Sequence, residues 1–364
     1  MVGNADNVDL QQLRERIDAL DTQLLALLNE RASCAEAVAS AKLAEDPAAV
    51  FYRPEREAQI LRRMQTENTG PLRKDQVSHL YREIISACLA LEESMRIAYL
   101  GPAGTFTQEA SFKHFGKGIS TWPVDSIGQV FREVEAQRVR YGVVPIENST
   151  EGMVTHTLDM FMQSHLRICG EILLRINQTL MCKHPHWEQV KTVYSHQQSL
   201  AQCRYWLDKH LPQAERIPVS SNAEAARLAA DDRDSVAIGS QQAANIYDLQ
   251  IVQTNIEDHA TNTTRFLVIG EPTVEPSGKD KTTLLVSAPN RPGSLFRLLK
   301  PLAENGVDMT RIESRPSRNT NWDYVFFLDV IGHEQDEPVQ RALELLRADV
   351  DLVRVLGSYP VAVK

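Results

Sequence analysis

From Asp6 to Glu45 the chain contains no Gly or Pro, and Leu10, Leu13, Ile17, Leu20, Leu24, Leu27 and Leu28 recur at three- and four-residue intervals. That spacing puts them along one side of an α-helix. At 1.5 Å of rise per residue the helix is about 60 Å long. A rod of that length cannot bury its apolar stripe inside a small domain, so the pattern predicts a partner helix from another subunit. Pro47 and Pro54 bracket a loop. Shorter helical patterns then run from Glu55 to Thr66 and from Leu72 to Glu93, around the breaker Asn68-Thr69-Gly70-Pro71. Residues 1–94 read as an all-helical domain.

After Met95 the rhythm changes. Short β-rich runs (Arg96 to Leu100, Tyr141 to Val144, Thr192 to Tyr194, Val236 to Ile238, Phe266 to Ile269) alternate with helical stretches. This alternation predicts an α/β domain over 95–271 with a largely parallel sheet. Helix passes to strand at Glu93 to Arg96 with almost no linker, so the two domains are expected to be closely coupled. Glu271 to Asp280 is polar, contains Pro272, Pro276 and Gly278, and reads as a linker. Beyond it, 281–364 reads strand (Thr282 to Ser287), helix (Gly293 to Glu304) and strand (Val307 to Glu313). Strand (Tyr324 to Ile331), helix (Glu337 to Arg347) and strand (Leu352 to Leu356) follow, giving the βαββαβ order of ferredoxin-like α+β domains.

Composition narrows the function. The chain has 364 residues, 43% apolar and 24% charged, as expected of a soluble globular protein of two or three domains. A net charge of -9 argues against nucleic acid or an anionic membrane as the main partner. A small anionic substrate stays open where positive charge gathers locally. No apolar run approaches the ~20 residues needed to span a bilayer. Met1 to Asp6 has neither basic residues nor an apolar core, so no signal peptide is read there. Cys34, Cys88, Cys169, Cys182 and Cys203 form no Cys-x-x-Cys, which fits reduced thiols in a cytoplasm. His184 and His186 flank Pro185 with no further ligands beside them, so no metal is expected, and no other cofactor is implied.

Three cations of the helical segment have a geometry. Arg31 and Lys42 are eleven residues apart, so on one helix they face nearly the same way. Arg14 lies about 25 Å from Arg31 along the axis and points roughly 100° away. It cannot share a small ligand with them, but Arg14 of the partner subunit could in an antiparallel pair. Read alone, all three are solvated charges on an amphipathic helix. Leu13-Arg14 through Asn29-Glu30-Arg31, Ala41-Lys42-Leu43 and Glu55-Arg56-Glu57 together resemble the all-helical, intertwined chorismate mutases. The resemblance implies that Arg14, Arg31, Lys42 and Arg56 bind the carboxylates and ether oxygen of chorismate, and that Glu57 accepts its hydroxyl. Cys88 falls where Ser is common in that family. Glu92 falls where a Gln donates to the ether oxygen, so it would have to be protonated to donate.

Two further segments carry the strongest signal. Ala98-Tyr99-Leu100-Gly101-Pro102-Ala103-Gly104-Thr105-Phe106 is a strand running into a Gly-rich turn and a helix, which aims backbone N–H groups at an anionic ligand. Asn262-Thr263-Thr264-Arg265-Phe266 sets a hydroxyl beside a guanidinium at the start of an apolar run. Gly142 to Gly152, Val193-Tyr194-Ser195-His196-Gln197-Gln198 and Asp258 to Asn262 accompany them. Together they resemble the prephenate dehydratases, and this likeness covers nearly the whole α/β segment. It implies a two-lobed domain that takes hydroxide and carbon dioxide from prephenate. Thr264 is then the donor to the leaving hydroxyl. Arg265 grips a carboxylate or orders the loop, and Thr105, Asn148, Ser149, Ser195 and Asn262 complete a polar cradle at the sheet edge.

In the last segment, Pro289 to Leu295 turns a strand into a helix and Glu313-Ser314-Arg315-Pro316 ends the next strand. With the βαββαβ order, these resemble an ACT domain. That implies L-phenylalanine as an inhibitory effector held by Gly293, Ser294, Leu295, Phe296 and Glu313 between paired domains. No Gly-x-Gly-x-x-Gly follows any strand, which disfavours a dinucleotide-dependent counterpart. Two rivals stay open: a monofunctional dehydratase with a structural dimerising helical domain, and a non-catalytic phenylalanine sensor.

Overall fold

The computed structural model describes residues 9–47, 49–184, 186–259, 261–288, 291–316, 324–350 and 352–363. The expected helix start at Asp6, and Pro185, Ala260, Pro289 and Asn290 of the quoted segments, lie outside these residues. Three helices come first: α1 (Leu10–Glu45), α2 (Pro54–Glu67) and α3 (Lys74–Glu92). Asp9 caps α1 by accepting the Gln11 N–H at 3.0 Å, and Pro54 occupies the first turn of α2, where its missing N–H does no harm. Both α1 and α2 pack on α3. Ala39 is nevertheless the only buried residue of α1, and Leu13, Ile17, Leu24 and Leu27 stay between 47% and 61% exposed. A single chain leaves the apolar stripe uncovered.

The α/β domain has two lobes. The first holds β1 (Arg96–Leu100), α4 (Phe106–Phe115), β2 (Ser120–Val124), α5 (Ile127–Glu135), β3 (Tyr141–Asn148), β4 (Gly152–Met153), α6 (Thr155–Gln163) and β5 (Arg167–Arg175). The second holds β6 (Thr179–Cys182), β7 (Thr192–His196), α7 (Gln197–Gln202), α8 (Arg204–His210), β8 (Glu215–Val219), α9 (Asn222–Asp231), β9 (Ser235–Gly239), α10 (Gln241–Ile246) and β10 (Gln250–Thr254). β11 (Thr263–Gly270) then returns to the first lobe, giving strand orders β2-β1-β3-β11-β5 and β10-β6-β9-β7-β8.

The expected largely parallel sheet is corrected here. β1 runs parallel to β2 and β3, and β7 to β8 and β9, but β11 is antiparallel to both β3 and β5. β6 is likewise antiparallel to β9 and β10. Alternating strand and helix encodes direction only within a βαβ unit. A chain that crosses between lobes and comes back enters its sheet against that direction.

The last domain contains β12 (Asp280–Ala288), α11 (Ser294–Glu304), β13 (Met309–Pro316), β14 (Tyr324–Ile331), α12 (Glu337–Asp349) and β15 (Leu352–Pro360), with strand order β13-β14-β12-β15. One sheet face packs on its own helices through Leu284, Val286, Leu298 and Leu343. The other face enters the core of the first lobe, where Leu285, Phe327 and Leu356 meet Ile146, Phe161 and Ile168. At Gly357 the approach is so close that a Cβ would lie 2.2 Å from the Ile168 carbonyl oxygen. The expected linker is not loose either. Arg62 of α2 donates to the carbonyls of Ser277, Lys279 and Val361, and Asp280 accepts the N–H of Ser277 and of Gly278. Its backbone is tied to the helical domain and to its own Asp280.

Candidate active sites

A cleft of about 330 Å³ opens between the two lobes. On its first side, antiparallel pairing sets Thr264 directly opposite Asn148. The Asn148 Oδ1 accepts the N–H of Thr150 at 2.9 Å and of Glu151 at 3.1 Å, which fixes the orientation of its amide. Its Nδ2 therefore donates to Thr264 Oγ1 at 2.8 Å and to Asn262 Oδ1 at 2.9 Å. The Thr264 oxygen is thus an acceptor within the protein, and its own proton is left for the cleft. Asn262 passes the order on. Its Nδ2 donates to Gln202 Oε1 at 3.0 Å, to which Gln178 Nε2 also donates at 3.1 Å. Gln178 and Asn222 then both donate to Ser199 Oγ, at 3.1 Å and 2.9 Å. A relay of amides, each oriented by the one before it, joins Thr264 to the second lobe.

His196 also lines the cleft. Its Nδ1 accepts the Gln198 N–H at 3.3 Å, so the neutral ring carries its proton on Nε2. Burial lowers the imidazole pKa against an opposing pull from Glu151, which keeps the ring a neutral donor at neutral pH. Thr105 stands at the N-terminus of α4 and Ser221 at that of α9, and both border the cleft. Gly104 has φ +88° and faces α10, where a Cβ would come within 3.1 Å of Ala243 Cα; Ser240 closes this contact by donating to the Gly104 carbonyl at 2.7 Å. Among the described residues lining the cleft there is no Lys or Arg.

Of the sequence candidates, Thr105, Asn148 and Thr264 line this cleft, and Asn262 stands behind them as a relay. Ser195 is fully buried, its hydroxyl 2.9 Å from the Ile238 carbonyl and 3.0 Å from Asn222 Oδ1, and so supports Asn222 from behind. Ser149 Oγ accepts the Thr263 N–H at 3.0 Å and ties two loops together outside the cleft. Arg265, expected to grip a carboxylate or to order the loop, faces away from the cleft. Side chains alternate along a strand, so the residue after Thr264 points to the opposite sheet face. There its guanidinium meets Glu171 at 2.9 Å, Tyr359 Oη at 2.9 Å and Asp329.

Sequence reading gave no role to Gln178, His196, Ser199, Gln202 or Asn222. Ser221-Asn222 before an Ala-rich run is a helix-start signal that marked the place. His196 stands inside the quoted Val193 to Gln198 segment without a role of its own, and Gln178, Ser199 and Gln202 carry no comparable local signature.

In the helical domain, Arg31 and Lys42 are half-buried on α1, and Cys88 and Glu92 lie one turn apart on α3. Burial raises the Glu92 pKa, while Lys42 and Arg31 pull it down, so the three groups share one electrostatic site. Arg14 is exposed near the start of α1, remote from Arg31 and Lys42, and Arg56 is exposed at the start of α2. Glu57, expected to accept the substrate hydroxyl, bonds within the chain instead. Its carboxylate accepts from Arg82 Nε at 3.3 Å in a separate cavity of about 370 Å³, between the helical domain, β5 and the C-terminal strand. Arg56 and Glu57 are consecutive on a helix and diverge by about 100°, so both cannot face α1. Burial pushes Glu57 up to about 7 despite Arg82.

In the last domain, Gly293 adopts φ +81° to start α11, followed by Ser294. Leu295 and Phe296 are 43% and 69% exposed, and Glu313 is half-buried on β13, the edge strand of the sheet.

Family profiles match in the same order. The Chorismate mutase type II profile covers residues 13–93, the Prephenate dehydratase profile 97–274 and the ACT domain profile 282–346. The bifunctional chorismate mutase/prephenate dehydratase of Pseudomonas aeruginosa is 50% identical over 363 residues, spanning 99% of this chain and 100% of that protein. The prephenate dehydratase of Mycobacterium sp. (strain JLS) is 37% identical over 279 residues, 73% of this chain and 89% of its own length. The crystal structure of the Arthrobacter aurescens prephenate dehydratase in complex with L-Phe overlays with a TM-score of 0.69 at 35% identity, covering 74% of this chain and 90% of that one. The full-length match and the three profiles together place the chain in the bifunctional chorismate mutase/prephenate dehydratase family.

Proposed function

We propose that the helical domain converts chorismate to prephenate, that the interlobe cleft converts prephenate to phenylpyruvate, and that L-phenylalanine bound at the ACT domain inhibits the second step. The hydrogen bond from Asn148 to Thr264 is the observation that carries the dehydratase reading. As the ring carboxylate leaves as carbon dioxide, its bonding electrons flow into the ring and expel the hydroxide, which departs as water. Thr264 donates its proton toward that oxygen and regains one from solvent as the water leaves, and the hydrogen bond from the Asn148 N–H strengthens while charge develops on the threonine. With no Lys or Arg among the described residues lining the cleft, the carboxylates are held by N–H groups at the starts of α4 and α9, by side-chain amides and by His196. That choice suits the chemistry. A cation on the departing carboxylate would favour the charged ground state over neutral carbon dioxide and slow its loss.

For the mutase, Arg31, Lys42, Cys88 and Glu92 form one side of the site. Arg14 of the partner subunit approaches it when two α1 helices pair antiparallel, which also covers the exposed leucines, and Arg56 of α2 is the fourth expected cation. The pericyclic step needs enforced conformation and positive charge at the ether oxygen, not a nucleophile. Glu57 turning to Arg82 favours a second reading, in which the helical domain is chiefly a dimerising scaffold. The exposed Leu295 and Phe296 of α11 and the open edge of β13 suit an effector held between two ACT domains by Gly293, Ser294 and Glu313. The proposed compartment is the cytoplasm; no described helix is long and apolar enough to cross a membrane.

The test follows chorismate consumption and phenylpyruvate formation by the purified chain, with and without L-phenylalanine. Both activities, with phenylalanine acting on the second, support the full reading. Conversion of added prephenate alone supports the scaffold. Thr264→Ala that keeps dehydratase turnover overturns the cleft assignment.

A further inference from the structure

Strands β3 and β11 lie side by side, and each presents one residue to the cleft and the adjacent one to the ACT domain. On β11 these are Thr264 and Arg265; on β3 they are Asn148 and Glu147. Arg265 is 8% exposed and held by Glu171, by Asp329 of β14 and by Tyr359 of β15. Thr283 of β12 completes the cage, donating to Asp329 at 2.6 Å and lying 2.7 Å from Tyr359 Oη. Lys281 bonds Glu171 at 2.8 Å, so two cations and two carboxylates balance in a buried cluster. Glu147 is held by Arg311 of β13 at 3.1 Å, two residues before the effector candidate Glu313. The strand register slips between Arg265 and Phe266, a bulge that aims this part of β11 rather than leaving it regular.

We propose that the ACT domain is part of the dehydratase scaffold, with Asp329 and Tyr359 as positioning residues that hold Thr264 through Arg265, and Arg311 acting on Asn148 through Glu147 in the same way. The inference rests on the reading of Thr264 as the donor. A buried guanidinium with three fixed partners cannot shift without breaking charge-assisted bonds, so it pins the backbone of its strand. A hydroxyl one peptide bond away is then fixed to the tolerance a donor needs. The same two tethers give an effector at β13 a direct mechanical route to both members of the Asn148–Thr264 pair.

The experiment is a double-mutant cycle in the full chain, with Asp329→Asn and Thr264→Ala alone and together. Steady-state dehydratase kinetics are read alongside mutase turnover. Asp329→Asn is expected to lower dehydratase kcat about 10- to 100-fold with KM little changed and mutase turnover intact. In the Thr264→Ala background the same change is expected to have no further effect, because the hydroxyl it positions is gone. Equal losses in both backgrounds, or a loss of thermal stability with kcat unchanged, overturn the proposal. Should Asp329→Asn not fold, Tyr359→Phe in the same cycle removes one Arg265 contact and reads the same coupling. Thr264→Ala alone reports on the parent reading, so the two failures are separable.

Discussion

Asn148 and Thr264 stand opposite each other on antiparallel strands, and the Asn148 amide donates to the Thr264 oxygen at 2.8 Å. A threonine hydroxyl is a poor acid by itself. An N–H aimed at its oxygen stabilises the charge that appears when its proton moves toward a leaving group.

Asn148→Asp is therefore expected to be more harmful than its size suggests. The replacement is nearly isosteric, but it turns a donor into an anionic acceptor facing both Thr264 Oγ1 and Asn262 Oδ1. Dehydratase kcat should fall by about 100-fold or more while mutase turnover is unchanged. A variant within about threefold of wild type would mean that Asn148 only shapes its turn.

Gly357 tests the docking of the ACT domain. A Cβ there meets the Ile168 carbonyl oxygen at 2.2 Å and its nitrogen at 2.8 Å, both backbone atoms that no rotamer change can move. Gly357→Ala should cost about 1–3 kcal/mol in chemical denaturation and lift β15 from β5. Dehydratase activity should fall with it. A melt and activity equal to wild type would show that β5 yields freely.

Much of this organisation was legible in the chain, for physical reasons. The helical stripe of α1 and the βαββαβ order are local periodicities, and Thr264 and Asn148 sat in motifs that mark strand ends. What escaped is non-local. Arg265 reads as a grip for a substrate carboxylate or an ordering group because it is cationic and adjacent to Thr264, and strand alternation sends it to Asp329, 64 residues further along the chain. Glu57 reads as a mutase carboxylate, but α2 turns it toward Arg82, 25 residues away. Gln178 and Gln202 have no local signature and matter only because the lobes close on each other. The antiparallel course of β11 follows from a lobe crossing that no window of sequence contains.

Glu57 makes the stability of the chain depend on pH. Burial raises its carboxyl from 4.5 to about 7, outweighing the Arg82 guanidinium. A group raised in the folded state favours folding fully when protonated in both states, and that benefit is lost as pH climbs from the unfolded value through the folded one. Stability should thus decline between about pH 4.5 and 7 by on the order of 3 kcal/mol and level off above. Glu57→Gln removes this component. Urea unfolding across that range should give a flatter curve for the variant; parallel curves for the two proteins would place the Glu57 pKa near its ordinary value.

Glu92 sets the pH dependence of the mutase. Burial raises its pKa, and Lys42 and Arg31 oppose that only in part. Chorismate adds two negative charges at the site and pushes the carboxyl further up. Only the protonated acid can donate to the ether oxygen, so mutase turnover should fall as pH rises through the pKa of the complex. An amide donates at every pH. Glu92→Gln should therefore flatten the profile and exceed wild type on the alkaline side, by up to about 100-fold if the donor carries the usual weight of a single oxyanion contact. The dehydratase profile of the same variant serves as the internal control and should not move. A Glu92→Gln mutase profile that follows wild type would mean that the ether oxygen takes its donor elsewhere, with Lys42 and Arg31 the cations beside Glu92 that could supply it.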